Sequence, residues 1–548
     1  MFLRRRLAPI KIGAVLSAGV LMLAGCSSGT GSAGSNESAG QHSDEVRVAM
    51  TKASENDSGF DPIKGWGCGG HVHEPLIQST LINTDKDMNF VNDLATEYSM
   101  AEDAMSWHFK IRDDVKFTDG TNLKASDVAF TVNSVLNDPG AVCELTGVKE
   151  AVADDDTNVT IKMSEPNNTL LYTLAVLGIV PEASYGPNYG ANPIGSGRYV
   201  LDQWDQGQQA IFSANPDYYG EKPKMKKLIA TFMDEDPALA AVRAGEVDVA
   251  YVYAPKADQK VDGYTLASFA TVDSRGISLP TSPAGGTFKP ADNSFNDSTQ
   301  TYPAGNDVTA NLAIRKALNY AIDRDLMVKN VLKGHGTPAF GVSDGMPWSS
   351  KDSVFKQDVE KAKKILADDG WKADSDGVLA KDGLRAEFDL IYPSSDSTRQ
   401  ALAAEFANQV KNIDVKVNPV GKSWDDIYGV SYSDAILWGW GSNSPIEVYN
   451  LLYSTGWGNF SLYASEVIDE HLKKAISTKD LEESNREFQA AQVGPEGAGI
   501  DGAASWVWLA NVDHLYFVRD GLHIADQKPH PHGHGWAVVN NVDQWSWN

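Results

Sequence analysis

Cysteine and positive charge are both scarce in this chain. Three cysteines in 548 residues are too few for a disulfide-built scaffold or a cysteine-rich zinc module. The 47 Lys and Arg stand against 73 Asp and Glu, a formal net charge of −26. Binding nucleic acid requires Lys and Arg to neutralise phosphates, so that class of partner is excluded. The same deficit argues against passive adhesion to an anionic bilayer. An acidic surface instead keeps a secreted protein soluble. The apolar run at residues 12–23 falls short of the roughly 20 residues that a spanning helix needs. No later segment approaches that length, and no internal repeat is visible.

Catalytic signatures are also missing. There is no Gly-x-x-x-x-Gly-Lys-Ser/Thr loop and no His-Glu-x-x-His. Acidic residues are plentiful but scattered, so no acid/base pair stands out. The chain therefore reads as a non-enzyme that requires no cofactor. The dense polar cluster is His530, His532 and His534, separated by Pro531 and Gly533, with His514 and His523 upstream. Neutral imidazoles suit Ni²⁺, Zn²⁺ and Cu²⁺, so one expectation is a transition-metal or metal-chelate site at these three residues. The competing reading is a structural turn with Trp536 packed below it. A lipid-anchored metal-dependent hydrolase is the enzyme alternative, and no carboxylate motif accompanies the histidines to support it.

What is present begins with an export segment. Arg4, Arg5, Arg6 and Lys11 form a basic region ahead of the apolar run, which ends in Leu23-Ala24-Gly25-Cys26. This ending resembles the lipobox of bacterial lipoproteins. It predicts a signal peptide over 1–26, lipidation of Cys26 and a Ser/Gly-rich tether over 27–43. The mature chain would hang from the outer face of a bacterial cytoplasmic membrane, touching it through lipid alone. Two cysteines then remain in an oxidising compartment. An even pair there favours a Cys68–Cys143 disulfide, the alternative being two buried free thiols. A hydrophobic content of 42% is ample for large cores.

Residues 93–136 organise the rest. Trp107, Phe109 and Ile111 alternate with His108, Lys110 and Arg112, the period of a half-buried strand. Asp119-Gly120 supplies a turn. Asp127 falls in a helical first turn, and Val128, Val132, Val135 and Leu136 mark that helix's buried face. Four submotifs occur in order here: Leu94-Ala95-Thr96-Glu97-Tyr98, Phe109-Lys110-Ile111-Arg112, Lys116-Phe117-Thr118-Asp119-Gly120 and Ala125-Ser126-Asp127-Val128. Their wording resembles the signature of the extracytoplasmic solute-binding proteins, family 5, of peptide/nickel ABC importers. The resemblance continues through Asn192-Pro193-Ile194-Gly195-Ser196-Gly197-Arg198-Tyr199, where Arg198 stands in place of the usual Pro. It extends through Gly245-Glu246-Val247-Asp248 and the helix pair around Ala317-Leu318 and Ala321-Ile322-Asp323-Arg324.

The resemblance implies an α/β, periplasmic-binding-protein-like type II fold: two lobes around a cleft, with an extra small domain. The expected division is lobe I over 44–82, 190–300 and 505–548, a small domain over 83–189 and lobe II over 301–504. It also implies capture of a small peptide or metal chelate, and delivery by a monomer to ABC permease and ATPase subunits. Nickel or transition-metal uptake is an alternative, and a surface binding or signalling module is another.

The candidate ligand-contacting residues are Trp66, His71 and His73 on the loop bordering the cleft, and Trp438, Trp440, Asn443 and Glu447 on the second lobe. Peptide binders of the family carry an aspartate after the Trp-containing strand to meet the peptide's ammonium. Leu437-Trp438-Gly439-Trp440-Gly441-Ser442-Asn443-Ser444-Pro445 has none. Asn443 cannot neutralise an ammonium, and Glu447 is the substitute from the next turn.

Overall fold

The structure is a computed structural model that describes residues 44–69, 72–138, 140–290, 299–533 and 535–548. Cys26 with its flanking signal and tether, His71 and His534 lie outside the described residues. Among the described residues, no helix is long and apolar enough to cross a membrane.

Two large sheets dominate. The first has seven strands in the order Tyr264–Phe269, His514–Arg519, Val249–Val252, Glu45–Met50, Lys227–Phe232, Gln209–Ala214 and Tyr199–Asp205. The second has six: Gly336–Pro338, Trp506–Val512, Ser274–Ser278, Ala435–Trp440, Glu387–Pro393 and Lys416–Lys422. The central strand Ala435–Trp440 is apolar on both faces because both faces are covered. A smaller four-stranded antiparallel sheet, Ala95–Met100, Ser106–Ile111, Asn158–Met163 and Val148–Ala153, carries the helix Ala125–Asn137. There Trp107, Phe109 and Ile111 point inward, as their alternation predicts. Asp127 accepts hydrogen bonds from the backbone N–H of Lys124 (2.8 Å) and Glu182 (2.9 Å), closing the helix start.

The expected division into lobes shifts at two places. Residues 274–300 and 505–512 were assigned to lobe I. Ser274–Ser278 and Trp506–Val512 instead pair with each other and belong to the six-stranded sheet. The chain therefore crosses between lobes just before Ser274 and just after Val512. Alternation identifies a strand but not which sheet it joins, because partner choice is a long-range contact. Gly286–Phe288 and Tyr302–Ala304 pair antiparallel as a separate two-stranded sheet.

The apolar core is continuous across the crossing. Val252, Leu515 and Phe517 from the first sheet share one cluster with Ile277, Leu437 and Leu509 from the second. The lobe II helix Leu312–Ala321 buries Ile314, Leu318 and Ala321. The side chain of Asp323 accepts from Leu326 N at 2.8 Å and starts the next helix, Arg324–Asn330.

Cys68 and Cys143 are joined in a disulfide, their Cα atoms 5.0 Å apart and 75 residues apart in sequence. The bridge ties the Gly-rich loop of the first lobe to the small domain. Closing so long a loop restrains the unfolded chain, so the Cys68→Ser/Cys143→Ser variant is expected to lose about 2–4 kcal/mol of stability. Denaturant unfolding under oxidising conditions measures this. An unchanged midpoint would show that the bridge does not stabilise the fold.

Candidate functional site

Between the two sheets and the small domain lies a cavity of about 1590 Å³. That exceeds the roughly 300–1,000 Å³ typical of drug-sized ligand pockets and is far more than a bare ion fills.

Beneath its wall, behind the lining residues His530 and His532, lies the crossing itself. Asp273, 1% exposed, sits where the chain passes between lobes. Arg275 Nη2 donates to Asp273 Oδ2 at 3.0 Å, His514 Nε2 lies 3.1 Å from the same oxygen, and His532 Nδ1 lies 2.7 Å from Oδ1. Burial alone would raise this carboxyl, but the Arg275 guanidinium and the two imidazoles outweigh it and hold Asp273 well below its usual range. His530 continues the chain of contacts, with Nδ1 3.2 Å from His514 Nδ1 and Nε2 3.1 Å from Gln527 Oε1. Burial, reinforced by His514, keeps His530 well below the ordinary histidine value.

The segment carrying these histidines is a strap rather than a strand. His530 N donates to Ala270 O at 3.0 Å, Val272 N donates to His530 O at 2.9 Å, and His532 N donates to Gly441 O at 2.6 Å. It thus fastens the crossing to lobe II. Among the described residues, no group of three or more His, Cys, Asp or Glu side chains could hold a metal ion. His530 and His532 line the cavity and bond to protein groups: His514 and Gln527 for one, Asp273 for the other.

The lobe II wall is aromatic. Trp438 stacks on Phe460 (4.4 Å between centroids, 14° between planes) and donates from Nε1 to Ser278 Oγ at 2.9 Å. Trp440 also lines the cavity, and its Nε1 is buried without a hydrogen-bond partner among the described residues. Gly439 between them is required by its neighbours, because a Cβ there would collide with the guanidiniums of Arg399 and Arg275. Arg399 lines the cavity from the helix Ser397–Gln409 and donates from Nη1 to Asp396 Oδ2 at 2.7 Å. Its Nε is buried and unpartnered. Trp424 lies over that guanidinium at 5.6 Å and stacks toward Tyr428.

Asn443 donates from Nδ2 to Pro529 O at 3.3 Å and leaves its buried Oδ1 unpartnered. Glu447 lines the cavity but is turned to its own loop, Oε1 accepting from Gly441 N (3.1 Å) and Oε2 from Ser442 N (2.9 Å). Burial pushes its carboxyl up to about 7. Glu447 therefore fixes the loop's shape and is poorly suited to neutralise a ligand ammonium.

The lobe I wall is a charge-balanced cluster. Arg198 Nη1 donates to Asp543 Oδ1 at 2.6 Å and lies 3.8 Å from Glu74, which also pairs with Lys528. Arg198, in place of a proline, thus pins the C-terminal segment to lobe I. His73 lines the cavity, donates from Nδ1 to Glu74 O at 2.9 Å, and is pushed by burial down to about 4, so it is neutral at pH 7. Trp66, expected at the cleft border, does not line the cavity. It is 2% exposed and packs against Phe60, His73 and Trp536 at 4.7, 4.3 and 4.8 Å. That aromatic cluster buries more apolar area than a cleft position would.

Of the sequence-predicted residues, His73, Trp438, Trp440, Asn443, Glu447, His530 and His532 all face this cavity. Sequence reading missed Arg399, Trp424 and Arg198 as cavity-lining residues, and Asp273 behind them. Only Arg198 carried a signal, its departure from the family's proline.

Comparison with known proteins agrees with this architecture. The family model for bacterial extracellular solute-binding proteins, family 5 Middle, matches residues 89–460. Protein XP55 of Streptomyces lividans is 32% identical over 498 residues, covering 86% of this chain and 85% of that protein. NikZ from Campylobacter jejuni, solved in complex with Ni(L-His), superposes with a TM-score of 0.74 at 24% identity, covering 92% of this chain and 99% of the other. AppA from Bacillus subtilis, solved in complex with a nonapeptide, gives 0.68 at 21%, covering 92% and 99%.

The Asp273 network fixes a pH dependence. A carboxylate whose folded pKa is depressed binds fewer protons folded than unfolded near its unfolded value of about 3.9. Its stabilisation is complete above that range and is lost as pH falls through the folded pKa. Asp273→Asn also leaves Arg275 buried and unneutralised, at a cost of about 3–5 kcal/mol. Thermal melts from pH 7 to pH 3 should show a lower Tm for the variant at neutral pH and a shallower acid decline. A wild-type acid limb in the variant would contradict this.

Proposed function

The chain belongs to family 5 of the bacterial extracellular solute-binding proteins, and from that premise we propose that its cleft captures a carboxylate-bearing solute, a short peptide or a metal chelate, for an ABC permease. The observation that carries the ligand class is the set of orphan polar atoms in the cavity wall. Arg399 Nε and Trp440 Nε1 are buried donors without acceptors, and Asn443 Oδ1 is a buried acceptor without a donor. A buried donor left unmade costs about 1–3 kcal/mol. A ligand carboxylate supplies what the two donors lack, and an amide N–H supplies what Asn443 lacks. The family consists of binding proteins.

Peptide and chelate both present carboxylates, and the two solved neighbours named above are one complex of each kind. The metal-chelate reading draws on two features: His530 and His532 in the cavity wall, and Glu447 already engaged by backbone rather than free for an ammonium. Family membership places the protein outside the cytoplasm. Cys26 is the proposed lipid anchor, holding a monomer at the outer membrane face beside the permease and its ATPase subunits. Cys26→Ser is expected to move the protein from the membrane fraction to the medium, as immunoblotting of fractionated cells would show.

Native mass spectrometry of protein purified from its host identifies the retained solute. With that solute, Arg399→Gln is expected to weaken binding about 10- to 100-fold, the range for a hydrogen bond to a charged group. Isothermal titration calorimetry measures it. Unchanged affinity would remove the carboxylate contact, and a retained solute without a carboxylate would remove the ligand class.

A further inference from the structure

The small domain reaches across the cleft mouth and grips lobe II at three places. Asn168, 3% exposed, donates from Nδ2 to Ala475 O and Thr478 O, each at 2.8 Å, while its backbone N donates to Ile476 O at 2.9 Å. These carbonyls are the unsatisfied C-terminal end of the lobe II helix Glu466–Ser477, so a residue from another domain caps that helix. Glu144 accepts from Asn450 Nδ2 at both oxygens, 3.0 and 2.9 Å; Asn450 lies on the lobe II helix Ile446–Leu452. Tyr172 packs edge-on against Trp348 of lobe II at 5.6 Å.

The two gripping loops are built as one unit. Asn167 Nδ2 donates to Thr146 O at 2.8 Å, Ser164 N donates to Gly147 O at 2.7 Å, and Thr173 Oγ1 donates to Glu144 O at 2.9 Å. Cys143, immediately before Glu144, is bonded to Cys68 on the loop of lobe I. The disulfide therefore anchors to one lobe the residue that reaches for the other.

We propose that loops 143–147 and 164–169 form a latch that holds the cleft closed against lobe II, with the Cys68–Cys143 disulfide keeping Glu144 within reach of Asn450. The crossing strands and the histidine strap join the lobes beneath the cavity wall, and the latch joins them at the far edge. Opening must break it, because the small domain is tied to lobe I. Closure is thereby set partly by contacts between protein groups, the Asn168 cap lying outside the cavity lining and the Glu144–Asn450 pair within it. A reductant acting on the disulfide, whose two cysteines line the cavity, loosens the latch.

The test is double electron–electron resonance on the full chain carrying Cys26→Ser, with spin labels at Glu102→Cys in the small domain and Glu470→Cys in lobe II, both exposed. No solute is added, so the result is independent of whether the ligand reading holds. In the reference protein a short-distance population is expected. Asn450→Ala and, separately, Cys68→Ser/Cys143→Ser are expected to raise the long-distance to short-distance ratio about fivefold to tenfold. Asn168→Ala should raise it further. Glu144→Gln, which keeps an acceptor oxygen for Asn450, should move it least. Cooperative melting of each variant confirms that it is folded. An unchanged ratio in folded Asn450→Ala would overturn the latch, and an unchanged ratio in the cysteine variant alone would overturn the part assigned to the disulfide.

Discussion

The buried carboxylate of Asp273 is the interaction on which the rest of the cleft depends. It lies where the chain passes from one sheet to the other and collects Arg275 from lobe II, His514 from the lobe I strand and His532 from the C-terminal strap. A buried anion is tolerated only when opposite charge and hydrogen bonds surround it. That requirement makes the meeting point of the three segments specific: a shift in any of them strips partners from Asp273. The continuous apolar cluster beneath supplies bulk stability, whereas the charge network fixes which residues meet.

The wall above this crossing divides into two kinds of surface. On lobe I, charges cancel within the protein: Arg198 with Asp543 and Glu74, and Lys528 with Glu74. On lobe II, stacked aromatics stand beside buried donors on Trp440 and Arg399 and a buried acceptor on Asn443 that have no partner among the described residues. On the reading proposed above, solute recognition is concentrated on the lobe II wall, while the lobe I wall clamps the C-terminal segment. A surface of strong negative charge overall is compatible with this, because the ligand meets a local arrangement of dipoles and one guanidinium rather than the net field.

How far the sequence could be read follows from how local each feature is. The strand Ser106–Ile111, the helix Ala125–Asn137 and the Asp323 cap were legible because alternation, helical periodicity and capping involve residues within a few positions of each other. The disulfide was legible as a pairing because only two cysteines remain after Cys26. Trp438 and Trp440 were legible as cleft aromatics through their place in a family motif, and Glu447 as a nearby acid. That Glu447 points at the N–H groups of Gly441 and Ser442 was not legible, since rotamer and burial are set by packing. Trp66 shows the same limit, for its ring joined a core cluster with Trp536, distant in sequence.

By itself the sequence determined the class of the protein, its α/β elements, its export-type N-terminal pattern and the neighbourhood of its cleft residues. Each of these is written in composition, short motifs or short-range periodicity. Tertiary structure alone decided that Ser274–Ser278 and Trp506–Val512 join the second sheet, and that Asp273 gathers partners up to 259 residues away. It also decided that Arg399 presents an unmet donor to the cavity and that Asn168 caps a helix in another lobe. These outcomes depend on which distant surfaces meet. That choice is made by the summed burial and charge pairing of the whole fold, and no local window of sequence contains it.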